Sequence, residues 1–318
     1  MKSPILLLVL SIFACSCMAL VPFLSILAAI FWGFTLFLAG TRQSSRTVIL
    51  FFLLDVGSFF VLFGMYPPAM FYMLAVGLPS TVIGMMASEK RDYYLMRKTS
   101  LLMGAGGTAL FLSFLYRTLG MDWETLKAQT IESAIPVLER VFNSSAVQPL
   151  NSGAVSEHLN QLIPQIAETA FHLIPASYFL QMLLAIYFVL SLANLYIVKK
   201  NEPWLKKKPL ASEQMPWQMA WVFIMGLGFA FWDYGTGSLL FYAGLNLMLF
   251  MAPVGFYFGC AVVSGKYQAY TAEKRRNAFI IFAIICILVP EIILMFIILL
   301  GIFDSILDYR KINPSKKA

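Results

Sequence analysis

The chain has 318 residues, of which 60% are hydrophobic and 12% charged, against about 45–50% and roughly 25% in an average soluble domain. Its mean hydropathy of +0.78 means more apolar surface than a water-facing fold of this length buries, so most of its solvent is lipid. A soluble globule, a disordered chain, a coiled coil, a disulfide scaffold and a nucleic-acid module are excluded, and the net charge of +7 sits in short connectors rather than a nucleic-acid stripe.

Residues 4 to 39 are continuously apolar, too long for one upright helix at about 1.5 Å per residue through roughly 30 Å of hydrocarbon. Pro22 stands where a tight turn splits them into a hairpin of two helices. The start, with Lys2, Ile5 to Leu10 and Ala14-Cys15-Ser16-Cys17, also looks like a signal peptide or lipoprotein site. A lipobox needs a small residue two places before the cysteine, where Cys15 has Phe13 and Cys17 has Cys15. The apolar run also continues past any cut, so a retained first helix is expected.

Further apolar runs predict helices at about 46 to 64, 68 to 87, 97 to 118, 171 to 198, 215 to 232, 237 to 263 and 278 to 302. Counted with the hairpin, these make an all-α polytopic transmembrane bundle of eight or nine helices. It divides into a six-helix bundle over residues 1–198 and a second part over 199–318 with a basic connector, two or three further helices and a short polar tail. The cysteines Cys15, Cys17, Cys260 and Cys286 all lie in apolar runs without metal or redox spacing, and read as small packing residues.

Basic residues sort the connectors. If each run crosses once, Lys2, Arg42, Arg46, Lys90, Arg91, Arg97 and Lys98 share a side with the lysines of 199–208 and the Lys266 to Arg276 connector. By the positive-inside rule that side, and the N-terminus, are cytoplasmic. Arg117, Lys127 and Arg140 face the other way among seven acids, Asp122, Glu124, Glu132, Glu139, Glu157, Glu168 and Asp233. Nine crossings leave the tail outside, yet Arg310, Lys311, Lys316 and Lys317 place it inside. Either the tail breaks the rule or the last run turns back at Pro290-Glu291 as a re-entrant pair.

The segment from about 120 to 170 is extracytoplasmic in this scheme and carries two amphipathic patterns. Trp123, Leu126, Ile131, Ile135, Leu138 and Phe142 follow Asp122 as N-cap, and Leu159, Leu162, Ile163, Ile166 and Ala170 follow Ser156 near helical spacing. Residues Asn143 to Gly153 read as a link between them. The pair lies on the membrane surface or caps a cavity mouth; a spacer packed on the bundle rim reads equally well.

Ionisable groups at membrane depth cost about 2.5–3.5 kcal/mol on insertion scales. Asp55 and Glu291 are the two such groups. Each could face a polar cavity, bind a cation or a ligand amine, or relay protons, or else be neutral or hydrogen-bonded between helices to Asn246 or Gln181. Asn194 and Asn246 suit interhelical hydrogen bonds better than ligand contact. Asp233-Tyr234-Gly235-Thr236-Gly237 reads as an ordinary interfacial turn. Small residues four apart, Ser11, Cys15 and Ala19, then Ser80, Gly84 and Ser88, and Gly255 and Gly259, let helices approach closely. The first row could instead be a docking face for a partner membrane protein.

Catalytic signatures do not occur. His158 and His172 lack metal spacing, and there is no phosphate loop, nucleophile elbow or HExxH. Polar residues near one interface cluster only as Asp304, Asp308, Tyr309 and Arg310. An enzyme, a metal and a cofactor are therefore not expected.

Ala193-Asn194 late in a helix, then a basic connector, Pro216-Trp217 with Trp221, Asn246, Gly255 to Gly259, and the ending Gly301-Ile302-Phe303-Asp304 with Asp308-Tyr309-Arg310 resemble the YybS-like bacterial membrane proteins. The resemblance implies a bacterial inner-membrane location. At the level of fold it is similar to the substrate-binding membrane subunits of energy-coupling-factor transporters, six-helix bundles with both ends cytoplasmic. It implies that the Ser11, Cys15, Ala19 row docks a transmembrane coupling subunit, although the row is not the usual alanine-rich form. The outer segment and the helices after Val198 have no counterpart there.

The expected function is capture of a small organic solute for transport, with Asp55, Asn246 and Glu291 as polar anchors, the 120 to 170 segment as lid, and partner subunits supplying energy. The alternative is a non-transporting scaffold that assembles or regulates membrane complexes.

Overall fold

The computed structural model describes residues 4–118, 125, 127–129, 131–133, 135–137, 153–202, 204–205, 207–232 and 238–310. Every regular element there is helical: α1 (Pro4–Leu20), α2 (Ser25–Arg42), α3 (Ser45–Phe63), α4 (Pro67–Tyr72), α5 (Leu78–Ser88), α6 (Tyr93–Thr118), α7 (Gly153–His172), α8 (Ile174–Lys199), α9 (Trp217–Trp232), α10 (Leu239–Gln268), α11 (Ala272–Leu288) and α12 (Pro290–Leu307). Among the described residues, seven helical segments are long and apolar enough to cross a membrane, and α1 and α9 are shorter apolar helices. Against the expected eight or nine helices, seven of the described segments qualify as spans on length and apolarity. The Asp122 N-cap, the 143–152 link and the Asp233 to Gly237 turn lie outside the described residues, as do the tail lysines Lys311, Lys316 and Lys317.

Proline punctuates the chain where its missing N–H and fixed φ demand it. Pro22 opens the short 3-10 turn Pro22–Leu24 between α1 and α2, as the sequence predicts. Ser25 Oγ ties this turn down, donating to the carbonyls of Met18 and Pro22. Pro67 starts α4, and Pro290 starts α12 after a break at Val289.

The chain groups into two compact units, residues 1–122 with 178–207, and residues 123–177 with 208–318. The expected division placed the 120 to 170 segment with the first part, and much of that segment lies outside the described residues. In the first unit α1, α2, α3, α5, α6 and most of α8 share a core built on Trp32, Phe37, Phe59, Phe71, Phe111 and Ile186. α4 and α5 are joined by a π-helical segment, Met73–Gly77. Such segments insert one extra residue per turn and recur at functional sites. Here it brings Gly77 against Trp32, whose ring a Cβ at position 77 would overlap.

In the second unit α9 and α10 run antiparallel, with Gly226 facing Gly244. α10 packs on α12 through Gly255, Gly259 and Gly301, where Gly301 meets the Gly255 carbonyl with no room for a Cβ. In lipid this close backbone approach supplies the attraction that hydrophobicity does not. The predicted run from 278 to 302 is two helices. α10 and α12 are parallel: Gly255 and Gly259 meet Ile297 to Ile302, and further along Gly265 meets Arg310. The chain must return along α11 to start α12, so the end of α12 lies beside Ala211 and Glu213, at the same end of the unit as the 208–216 connector. Arg310 thus stands at the same end of the second unit as the 208–216 connector. α11 exposes Phe279, Ile287 and Leu288, as a helix facing lipid does.

Candidate functional site

α1, α2 and α3 meet around Asp55. Its carboxyl is wholly buried and accepts two hydrogen bonds on Oδ2, from Ser11 Oγ at 2.5 Å and Trp32 Nε1 at 2.6 Å. Thr35 Oγ1, one turn after Trp32, donates to the Trp32 carbonyl at 2.7 Å, with Ser11 Oγ 3.2 Å away as its alternative acceptor. The Cys15 thiol lies 3.9 Å from the Asp55 carbonyl oxygen. Phe52 stacks on the Trp32 indole, ring centroids 5.8 Å apart, and the π segment closes over that ring at Gly77.

Oδ1 of Asp55 is buried without a hydrogen-bond partner among the described residues. No Lys or Arg among them forms an ion pair with it. The arrangement therefore offers one saturated and one unused oxygen in a wall of neutral donors. A group that brought a positive charge or a donor to Oδ1 would complete it. Ser80 Oγ, also buried and without a partner, lies against Gly33 beside Trp32, and Ser191 Oγ and Asn194 Oδ1 on α8 are in the same condition. Natural interiors keep such orphaned groups few. Four of the five among the described residues fall in the first unit.

The other sequence-derived residues have different surroundings. Asn246 takes the Ala176 N–H on Oδ1 at 2.9 Å and donates through Nδ2 to the carbonyls of His172 and Tyr242, both at 2.8 Å. It caps the start of α8 and the end of α7 from a third helix, and His172 stacks on Tyr242 with centroids 3.9 Å apart. These three contacts join helices, as its residue type suits. Glu291 is exposed in the first turn of α12, where a helix N-terminus favours an acid; it does not stand mid-helix as the single 278 to 302 run implied. Gln181 accepts from Tyr72 Oη at 2.8 Å, and the partners of Asp55 are Ser11 and Trp32 instead of Asn246 or Gln181.

Ser11 and Cys15, offered as a docking row with Ala19, are fully buried. They point at Asp55, which leaves only half-buried Ala19 toward any partner. Residues proposed for two separate roles thus form one cluster. Trp32 and Thr35 were missed. Their spacing of three along α2 was the available signal, but an indole in an apolar run reads as packing.

A second buried constellation lies in the other unit. Arg310 donates to Asp304 Oδ2 through Nε and Nη2 at 3.1 and 2.8 Å, to the Ala211 carbonyl at 2.7 Å and to the Glu213 carbonyl at 2.6 Å. Gln214 donates to Asp308 at 3.1 Å. The sequence shows these residues as a cluster without showing that it is buried. No group of His, Cys, Asp or Glu among the described residues is placed to hold a metal ion.

No curated protein and no solved structure matches the chain. Residues 8–305, nearly the whole length, match the family described as predicted membrane protein (DUF2232), and the chain belongs to that family.

Proposed function

We propose that this membrane protein captures a small organic solute bearing a cationic or hydrogen-bond-donating group, with Asp55 as the anchor, and hands it to partner subunits for transport. The observation that carries the reading is the Asp55 carboxyl: wholly buried, held by neutral donors on one oxygen and with the other unused. An ionisable group at membrane depth is retained at a cost and marks a pathway or site by default. In this reading the first unit plays the part that the resemblance to YybS-like proteins and to energy-coupling-factor substrate-binding subunits implies. In this reading the protein sits in a bacterial inner membrane with its N-terminus and basic connectors cytoplasmic. Asn246 contributes by holding α7 to α8 and not through the solute.

A second reading, a non-transporting scaffold, is favoured by the two donors already on Asp55 Oδ2, which make a sound interhelical tie without any ligand. Mass spectrometry of the detergent-purified full-length protein separates the two. Capture predicts a retained small molecule that is lost in Asp55→Asn and kept in Asn246→Ala. If no molecule is retained and Asp55→Asn changes only thermal stability, the scaffold stands.

A further inference from the structure

The helices around Asp55 hold no counter-charge at its depth. Those packed on α3 are chiefly α1, α2 and α5. Of these, α1 and α5 contain no Lys, Arg, His, Asp or Glu, and α2 has only Arg42, its last residue, ten positions beyond Trp32. The π segment Met73–Gly77, which reaches Phe52 on α3, adds none. The cation of α3 itself, Arg46, stands nine residues before Asp55, about 13 Å along the axis at about 1.5 Å per residue. The other titratable groups on these elements are the thiols of Cys15, 3.9 Å from the Asp55 carbonyl oxygen, and Cys17. Neither brings a positive charge.

A carboxylate ion buried in this setting holds an uncompensated charge, which is far costlier than burying a neutral acid. The hydrogen bonds divide as a neutral acid divides them. Both donors, Ser11 Oγ and Trp32 Nε1, go to Oδ2, as to a carbonyl oxygen with two lone pairs, and Oδ1 is left as the hydroxyl oxygen. Asp304 shows the same one-sided pattern, but there the Arg310 guanidinium supplies the charge. At Asp55 the negative charge has to be met by a proton or by the cation that enters.

We propose that Asp55 carries a proton on Oδ1 when no solute is bound, and that an organic cation binds by displacing it, so that capture is a one-for-one exchange of cation for proton. The exchange rests on the capture reading above, whereas the proton rests on the cluster alone. In the step the Oδ1–H bond breaks, the proton passes to water, and an ammonium N–H donates to the freed Oδ1. Asp55 and its occupant are together neutral before and after, so no lone charge stands at membrane depth in either state.

The test is infrared difference spectroscopy on the full-length protein in lipid nanodiscs at neutral pH, after washing until mass spectrometry finds no retained small molecule. Wild type is expected to show the C=O stretch of one protonated carboxyl per chain, shifted by exchange into deuterium oxide and missing in Asp55→Asn. Ser11→Ala should keep the band and raise its frequency, because the carbonyl oxygen loses one of its two donors. That shift assigns the band even if the asparagine variant fails to fold. Glu89→Gln, on an exposed connector, should leave the band unchanged. Methylammonium chloride, the probe cation, should bleach the band and release one proton per chain, and sodium chloride of equal ionic strength should do neither. A washed wild type without a band that answers to Asp55→Asn or Ser11→Ala overturns the proposal. So does a band that methylammonium leaves intact or that sodium bleaches equally. The capture reading fails by a different result, no molecule retained before washing, and the band is read whichever way that falls.

Discussion

Asp55 in the first unit and Asp304 in the second are each buried with one carboxyl oxygen hydrogen-bonded and the other without a partner among the described residues, and the two differ in what holds them. Asp304 faces a guanidinium, and Arg310 is itself saturated by two backbone carbonyls. Asp55 faces a serine and an indole. The first is a closed circuit in which charge is matched and every guanidinium nitrogen has an acceptor, so it locks the end of α12 to the 208–216 connector. The second supplies hydrogen bonds without a counter-charge. A protein that needed only adhesion at Asp55 would do as well with asparagine, whereas a site for a cationic group needs the carboxyl. Under the proposed function this missing counter-charge is what sets Asp55 apart from Asp304.

Arg310→Ala should have the largest effect. The Asp304 and Arg310 side chains are 3% and 4% exposed, so removing the cation leaves a buried carboxyl and two carbonyls without their donor. Breaking such a pair costs about 3–5 kcal/mol, readable as a fall in thermal unfolding temperature in detergent. Replacing both, Asp304→Leu with Arg310→Met, should recover most of the loss, because a buried ion pair seldom outperforms packed apolar side chains. If Arg310→Ala is neutral, the lock is not one and the contrast with Asp55 fails.

Gly77→Ala comes next. The added methyl falls on the Trp32 ring, and overpacking of this kind costs about 1–3 kcal/mol. Since Trp32 donates to Asp55, the same variant should weaken any retained solute, which ties the π segment to the site. Asn246→Ala should cost about 1–2 kcal/mol, the scale of a lost helix cap, by orphaning the Ala176 N–H. Because this contact belongs to the second unit, solute retention should be unaffected, and a loss there would move the site away from Asp55 alone.

What the sequence disclosed follows from the range of the interactions. Pro22 and Pro290 act locally, so the α1–α2 hairpin and a break near residue 290 were both visible. The number of helices in the last apolar run was not, because 278 to 302 is uniformly apolar and α11 begins earlier, at Ala272, among Glu273, Lys274, Arg275 and Arg276. Those charges suggest a connector, although their side chains can reach the interface from a helix end. The parallel course of α10 and α12 places Arg310 beside the 208–216 connector, a neighbourhood that charge alone did not show. Asp55 and Asn246 stood out because polar groups are rare at membrane depth. Their partners did not, since Ser11, Trp32 and His172 lie 44, 23 and 74 residues away and nothing in spacing encodes such pairings.

Asp55→Asn should have the smallest effect on stability and the most informative one. Asparagine keeps a carbonyl oxygen where Oδ2 accepts from Ser11 and Trp32, so both donors stay satisfied. Its amide places two N–H groups toward the space that Oδ1 faces, at a cost of no more than the ~0.6–1.7 kcal/mol of one hydrogen bond in a membrane. Asp55→Leu, by contrast, removes the acceptor and should lose both bonds. If solute capture depends on the carboxyl, the two variants lose solute equally while differing in unfolding temperature. If Asp55 is only an interhelical tie, the asparagine variant shows no more than this small stability change and the leucine variant is the one strongly impaired.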